Sequence, residues 1–390
     1  MLTQSFAEAV AEAERIITGA AHVRSEADLA EGYDYLAGNI RGSLQLAWAY
    51  QRDFPYFVSS TGPYTKLGLD NPDALYFHSY LRDDAEYVIT GRRGTTTDLS
   101  FQILNGDYSP VDVPDSLSAF DDREIEMAGD GSFELRFGPG GRQPNYFTLG
   151  PGSAMLVVRE VYSDWDTERR GTLSIHRADR AGHAPEVTGT AALGKRYTVA
   201  GKILLSRLRT FLAFPQWFYL ELPVNTLTEP RRTPGGLASQ FSSAGHYELG
   251  ADQAMIVTVP AAGAGVAPYQ GIQLGSMWYI SLDYISHQTS LTANQARADP
   301  DGNLRFVISE RDPGVANWLE TTGHQRGYVQ LRWQRLTRDL RPADGPRAEV
   351  VPFADLPGRL PYYGLARVTA KEYAERIAAR QAAVAARMLG

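Results

Sequence analysis

The sequence contains no cysteine among its 390 residues, which excludes disulfides, thiolate zinc sites, iron–sulfur clusters and a cysteine nucleophile together. No run of about 18 apolar residues is present, so no membrane-spanning helix and no membrane partner are expected. Basic clusters are also missing, and with a formal net charge of −7 no nucleic-acid partner is expected. The N-terminal stretch carries Glu8, Glu12 and Glu14 where a secretory signal needs an unbroken apolar segment, so a cytoplasmic, bacterial-type protein is expected. Histidine is sparse: seven positions, with no H-x-H or i, i+4 pair. Together with the absence of G-x-S-x-G, H-E-x-x-H and Walker patterns, this leaves no expected metal or other cofactor.

What is present describes an ordinary globular protein, 43% hydrophobic and 21% charged. Its 21 tyrosines suit β-rich architecture, in which a side chain with an apolar body and a polar tip packs well. Ser5-Phe6-Ala7-Glu8 and Ser25-Glu26-Ala27-Asp28 look like helix N-caps with an acid three residues on. They open helices over about 5–18 and 26–52, the second with an apolar stripe of Leu29, Tyr33, Leu36, Ile40, Leu44 and Trp48. From 74 the pattern changes to short alternating runs at 74–81, 85–91, 97–104, 124–127, 132–137, 154–162 and 172–177, read as antiparallel strands. A helix is expected at about 191–218, then a Pro/Gly-rich connector at 229–236 and strands at 254–259 and 277–284. Thr369-Ala370-Lys371-Glu372 is a capping box that opens a last helix. The expected class is α+β with two antiparallel β-rich halves. The expected divisions are a helical region at 1–60, a β-rich half at 61–185, a helical connector at 186–250, a sandwich at 251–350 and a helical tail at 351–390.

The segment from Asp299 to Trp333 has the most specific composition. Asp299-Pro300-Asp301-Gly302 carries type I turn chemistry, with Pro second and Gly fourth. Two strands follow, 304–308 and 328–333, read as a hairpin whose tip holds Asp312-Pro313-Gly314-Val315-Ala316-Asn317-Trp318-Leu319. Asp299, Asp301, Asn303 and Glu310 match four calcium-loop positions, but Leu304 stands where the obligatory glycine belongs, so turn and strand are read instead. Similarly, Gly263-Ala264-Gly265 precedes Pro268 and is read as a loop, not a dinucleotide fingerprint.

This DPG-x-A-N-W-L run, the DPDG-x-L strand before it and the closing L-R-W resemble the C-terminal module of the family called domain of unknown function 1214. Trp278-Tyr279-Ile280-Ser281-Leu282-Asp283-Tyr284 looks like that module's aromatic strand. Asp70-Asn71-Pro72-Asp73-Ala74-Leu75-Tyr76 and Gly91-Arg92-Arg93-Gly94 are similar to the N-terminal part of full-length members. The likeness spans about 70–350 and is strongest at 276–333. It implies a β-sandwich or jelly-roll module with helical additions, and no settled activity.

The candidate chemistry is acid–base. His78 shares a strand face with Tyr76 and Tyr80, and phenols beside an imidazole can hold its tautomer. Tyr279 and Asp283 are expected on one face of a strand at 277–284. His324, on the expected hairpin tip, completes the catalytic candidates. Arg82, His287, Asn317, Trp318 and Arg332 are the substrate-binding candidates, Arg332 as a carboxylate partner. Each also has a plain structural reading as a turn, packing or ion-pair residue. The expected function is a cofactor-independent lyase, eliminating or cleaving in retro-aldol fashion a hydrophobic aromatic or polycyclic small molecule in a catabolic pathway. The other reading is a non-catalytic β-sandwich that binds a carbohydrate or protein partner; homo-oligomerisation stays open. Convergence of His78, Tyr279, Asp283 and His324 on one cavity would favour the enzyme.

Overall fold

The computed structural model describes residues 1–106, 114–141, 143–232, 240–263 and 265–389. Residues 233–236 of the expected connector and Ala264 of the glycine pattern lie outside them. The helices are α1 (Gln4–Thr18), α2 (Glu26–Ala49), α3 (Thr190–Phe218), two single turns α4 (Leu356–Arg359) and α5 (Tyr363–Ala366), and α6 (Ala370–Leu389).

The first β-rich half contains β1 (Ala74–Tyr80), β2 (Tyr87–Arg92), β3 (Asp98–Leu104), β4 (Ser116–Asp121), β5 (Ser132–Gly138), β6 (Tyr146–Thr148), β7 (Met155–Val161) and β8 (Thr172–Arg177). They form two sheets, ordered β1-β7-β3-β4 and β6-β5-β2-β8. In β5, Phe133, Leu135 and Phe137 are buried while Ser132 and Glu134 are exposed, the period-2 alternation of a strand with one face on a core. Phe101, Leu156 and Val158 from one sheet meet Ile89, Leu135 and Ile175 from the other, so the half is a sandwich.

The second half contains β9 (Arg231–Arg232), β10 (Phe241–Glu248), β11 (Gln253–Pro260), β12 (Tyr269–Gly275), β13 (Ser290–Thr292), β14 (Asn303–Ser309), β15 (Trp318–Glu320), β16 (Arg326–Gln334) and β17 (Arg347–Pro352). Its sheets run β13-β12-β16-β10-β9 and β15-β14-β11-β17. Ile272, Leu274, Val329 and Leu331 pack against Met255, Val257, Phe306 and Ile308 between them. In β11 the other face is buried too: Ala254 and Ile256 meet Leu356 and Leu360, which is why this strand reads as a continuous apolar run.

The helices join the halves. Ile17 of α1, Leu36 of α2 and Leu204 and Leu208 of α3, together with Trp278, cover the outer face of the five-stranded sheet, to which Tyr328 of β16 belongs. Leu46 and Ala49, farther along α2, pack on Tyr80, Met155 and Val157 of the first sandwich. Ser25 caps α2, its hydroxyl accepting from the Asp28 amide at 3.1 Å. The α6 capping box is formed as read: the Thr369 amide donates to Glu372 at 2.7 Å and the Glu372 amide to Thr369 at 3.2 Å. Thr369→Ala is expected to cost about 1 kcal/mol, read as a lower urea midpoint with an unchanged slope.

The α+β class with two β-rich halves holds, and several details differ. No hairpin joins β14 to β16. β14 pairs with β11 and with β15, whereas β16 pairs with β10 and β12, so residues 310–325 carry the chain from one sheet of the sandwich to the other. The run 277–284 is not a strand. It is an irregular segment in which Tyr279 has φ of +58° and its amide bonds Ser276 O at 2.9 Å. The strand there is β12, just before it. The expected strand at 124–127 is replaced by β4 and a helical turn at 122–124. β10 lies within the expected connector and belongs to the second sandwich, and β17 crosses the expected boundary at 350.

Candidate functional site

The linker between α2 and β1 and the irregular segment after β12 meet at a cleft. Gly68 and Leu69 both have positive φ, +64° and +50°, and the Leu69 amide donates to Tyr279 O at 2.6 Å. Left-handed backbone at two adjoining non-glycine residues, Leu69 and Tyr279, is strain that the surrounding packing must hold. It delivers Asp70 to the irregular segment, where Asp70 accepts from the Ser281 amide at 3.1 Å and from its hydroxyl at 2.9 Å. Lys66 is tied to the same segment, its ammonium donating at 2.8 Å to both Ser281 O and Leu282 O.

A cleft of about 640 Å³ opens here, lined among others by Glu31 and Asp34 of α2, by Lys66, Asp283 and Tyr284, and by His324. His324 is fixed at both ring nitrogens: Nδ1 lies 2.9 Å from Thr321 O, and Nε2 lies 3.3 Å from a carboxylate oxygen of Glu31. Burial opposes its charged form, but the hydrogen bond and charge of Glu31 outweigh that, and its pKa is raised. Burial lowers the pKa of Lys66 against the pull of Asp70, Asp283, Glu31 and Asp34. Burial likewise raises Asp70, with Lys66 and Ser281 opposing. The cleft therefore places an imidazole–carboxylate pair, an amine and further carboxylates around one space of ligand size.

Asp283 and His324 are thus the two expected catalytic residues that share the cleft. Asp283 Oδ1 also accepts from the amides of Ile285 and Ser286, at 2.8 and 3.1 Å, which fixes the loop it stands on. Tyr279 does not share a face with Asp283. It is buried against Phe214 and Tyr328 and hydrogen-bonded to Tyr219. His78 is buried elsewhere, with Nδ1 3.3 Å from the Ser60 hydroxyl, and does not face solvent. Tyr76 takes the Asn71 amide at 3.0 Å and lies 5.9 Å from the Arg159 guanidinium. Arg332 is buried behind the cleft, held by Gln273, by Leu69 O at 2.6 Å and by Gln330 at 2.8 Å. With these partners it braces the Leu69 turn instead of awaiting a ligand.

The remaining candidates stand apart. Arg82 forms a surface ion pair with Asp84 at 2.8 Å. His287 Nδ1 lies 2.8 Å from Glu320. Asn317 brackets the backbone of Arg297, accepting from its N–H and donating to its C=O at 2.8 Å each. Trp318 packs on Tyr373 and donates to Ser309 O at 3.0 Å. Of the calcium-loop carboxylates, Asp299 and Asp301 are taken by Arg305, at 2.6 and 2.7 Å, and Glu310 accepts from the Thr321 hydroxyl at 2.8 Å and the Gly323 amide at 2.9 Å. Sequence reading passed over Lys66 and Glu31. A lone lysine before a D-N-P-D turn carries no pattern, and Glu31 reads as an ordinary exposed helix position.

No protein-family model matches the chain, and no curated protein matches it. Among solved structures it is similar to an uncharacterised protein from Burkholderia cenocepacia, at 27% identity and a TM-score of 0.80, over 90% of this chain and 97% of that one. The VPA0106 protein from Vibrio parahaemolyticus aligns at 13% identity and a TM-score of 0.45, over 82% of this chain and 98% of that one. Among the described residues no helix is long and apolar enough to cross a membrane, and no group of three or more carboxylates and histidines is arranged to hold a metal ion.

Proposed function

We propose that the protein is an acid–base enzyme, a lyase of small molecules, whose site is the cleft between α2 and the segment 280–286. The observation that carries this reading is the joint presence there of His324 paired with Glu31, of Lys66 and of Asp283. His324 with Glu31 serves as the proton-transfer pair: the Glu31 carboxylate takes a proton from carbon beside a carbonyl, and the imidazolium, whose charge Glu31 favours, gives one to a leaving oxygen. Lys66 supplies the N–H that steadies a developing oxyanion. The rings of Tyr35 and Tyr284 beside these charges suit an aromatic or alicyclic substrate bearing oxygen functions. The resemblance of 276–333 to domain of unknown function 1214 fits this reading without specifying a substrate.

The test is deuterium wash-in and carbon–carbon cleavage across a panel of aryl β-hydroxy ketones in heavy water, followed by NMR. Wild-type protein is expected to exchange or cleave at least one member. His324→Gln is expected to lower that rate by about 100-fold or more, with Glu31→Gln in between. A wild type inert toward the whole panel, or a His324→Gln variant as fast as wild type, refutes the proposal.

A further inference from the structure

A second pocket, of about 610 Å³, lies where the end of α1 and the residues after it meet the end of α3, β10 and β16. Its lining includes the apolar Leu212, Leu220 and Met277 together with arginines. Arg24 and Arg326 both line it, in a protein whose net charge is −7. Arg326 is held in place: its guanidinium donates to His22 O at 3.1 Å and stands 3.7 Å from Asp28. The Arg24 guanidinium has no hydrogen bond or ion pair among the described residues. Arg15, also in the lining, is paired with Glu12, and His246 Nε2 is turned to Leu222 O at 2.9 Å. Glu248 is the acid among the lining residues.

His22 also lines the pocket. Its ring meets the Trp278 indole edge-on at 4.2 Å, and its Nε2 is closed off from solvent with no partner among the described residues.

From this combination we infer that the pocket binds an amphipathic carboxylate: an alkyl or aryl tail against Leu212, Leu220 and Met277, and a carboxylate taken by Arg24 beside Arg326. A guanidinium presents paired N–H groups that match the two oxygens of a carboxylate, while the apolar wall rewards a tail that water rejects. A neutral ligand would leave Arg24 unused, and a small inorganic anion would leave the wall wet. The site shares no lining residue with the cleft, so it serves as a docking place for an effector or carried acid independently of turnover there.

Calorimetric titration of the full chain with decanoate and with decan-1-ol, both below micelle formation, tests the inference. Decanoate is expected to bind at least tenfold more tightly than decanol. Arg24→Gln is expected to weaken decanoate about tenfold and leave decanol unchanged. Leu220→Asp, at a position 37% exposed and therefore tolerant of change, is expected to weaken both. Equal affinity for acid and alcohol, no binding of either, or indifference to both substitutions overturns it. Because only binding is read, these outcomes are separate from success or failure of the lyase proposal.

Discussion

Asp73→Ala is expected to cost roughly 3–5 kcal/mol of stability, the largest effect of any single substitution foreseen, because it leaves buried arginines without their anion. Asp73 is 1% exposed. Its carboxylate accepts from the Tyr269 hydroxyl and from the Trp165 indole N–H, both at 2.8 Å. The Trp165 ring has the Arg387 guanidinium 3.9 Å and the Arg380 guanidinium 4.4 Å from its centre. Both arginines come from α6; Arg387 also donates to Pro72 O at 3.0 Å, and Arg380 to Tyr284 O at 2.9 Å. Burial lowers the pKa of Arg380 to about 10 against the pull of Asp73, and burial raises that of Asp73 against Tyr269, Arg387 and Arg380. Urea melts should show the loss as a lower midpoint, with α6 becoming sensitive to protease before the sandwiches do. Asp73→Asn, which keeps one acceptor oxygen and removes the charge, should fall between Ala and wild type. A loss below about 1 kcal/mol for Asp73→Ala would mean that the arginines are satisfied without it.

Asp98 gives the second large effect, one that depends on pH. It is 1% exposed at the start of β3, both carboxylate oxygens lack a hydrogen-bond partner among the described residues, and the nearest cation is Arg335 at 3.7 Å. Burial, joined by the negative charge of Asp121, pushes its pKa from 3.8 up to about 7. The folded state therefore holds this proton to higher pH than the unfolded chain does. The resulting stability is complete below about pH 4 and is lost as pH rises toward 7, by on the order of 4 kcal/mol in full. Asp98→Asn removes the titration, and its amide can donate to neighbouring carboxylates. The variant is expected to match wild type near pH 3.5 and to be more stable by roughly 2–4 kcal/mol at pH 8. Chemical denaturation of both proteins across that range reads the difference directly. A stability difference that does not change with pH would place the proton elsewhere.

The sequence was most legible where local rules decide structure. The Ser25 and Thr369 caps, the Asp299–Gly302 turn and the alternation in β5 follow from chemistry within a few residues, and each is found as read. Pairing was less legible. β14 and β16 have strand composition, but nothing within them states that their partners are β11 and β10, residues far away in the chain. The run 277–284 misled for a related reason. Aromatic and β-branched residues meet a strand's preferences, yet here they are buried because helices cover one side and the sandwich the other, and the backbone turns at Tyr279. At the site, Asp283 and His324 were found because histidines and acids are conspicuous. Glu31 and Lys66 were missed because their roles arise only from α2 lying beside the segment 280–286.

The position of Arg380 and Arg387 has a consequence for how the molecule is made. Synthesis proceeds from the N-terminus, and domains generally fold as they emerge, so the first sandwich can assemble long before α6 exists. Until then Asp73 stands at its edge without Tyr269, Arg380 or Arg387, a carboxylate that favours exposure to water over burial. Seating the second sandwich with α6 is what makes burial of that carboxylate tolerable. The last helix thus acts as a check on completion: a chain cut short before Arg380 would keep two sandwiches and lack the charges that let them close on one another.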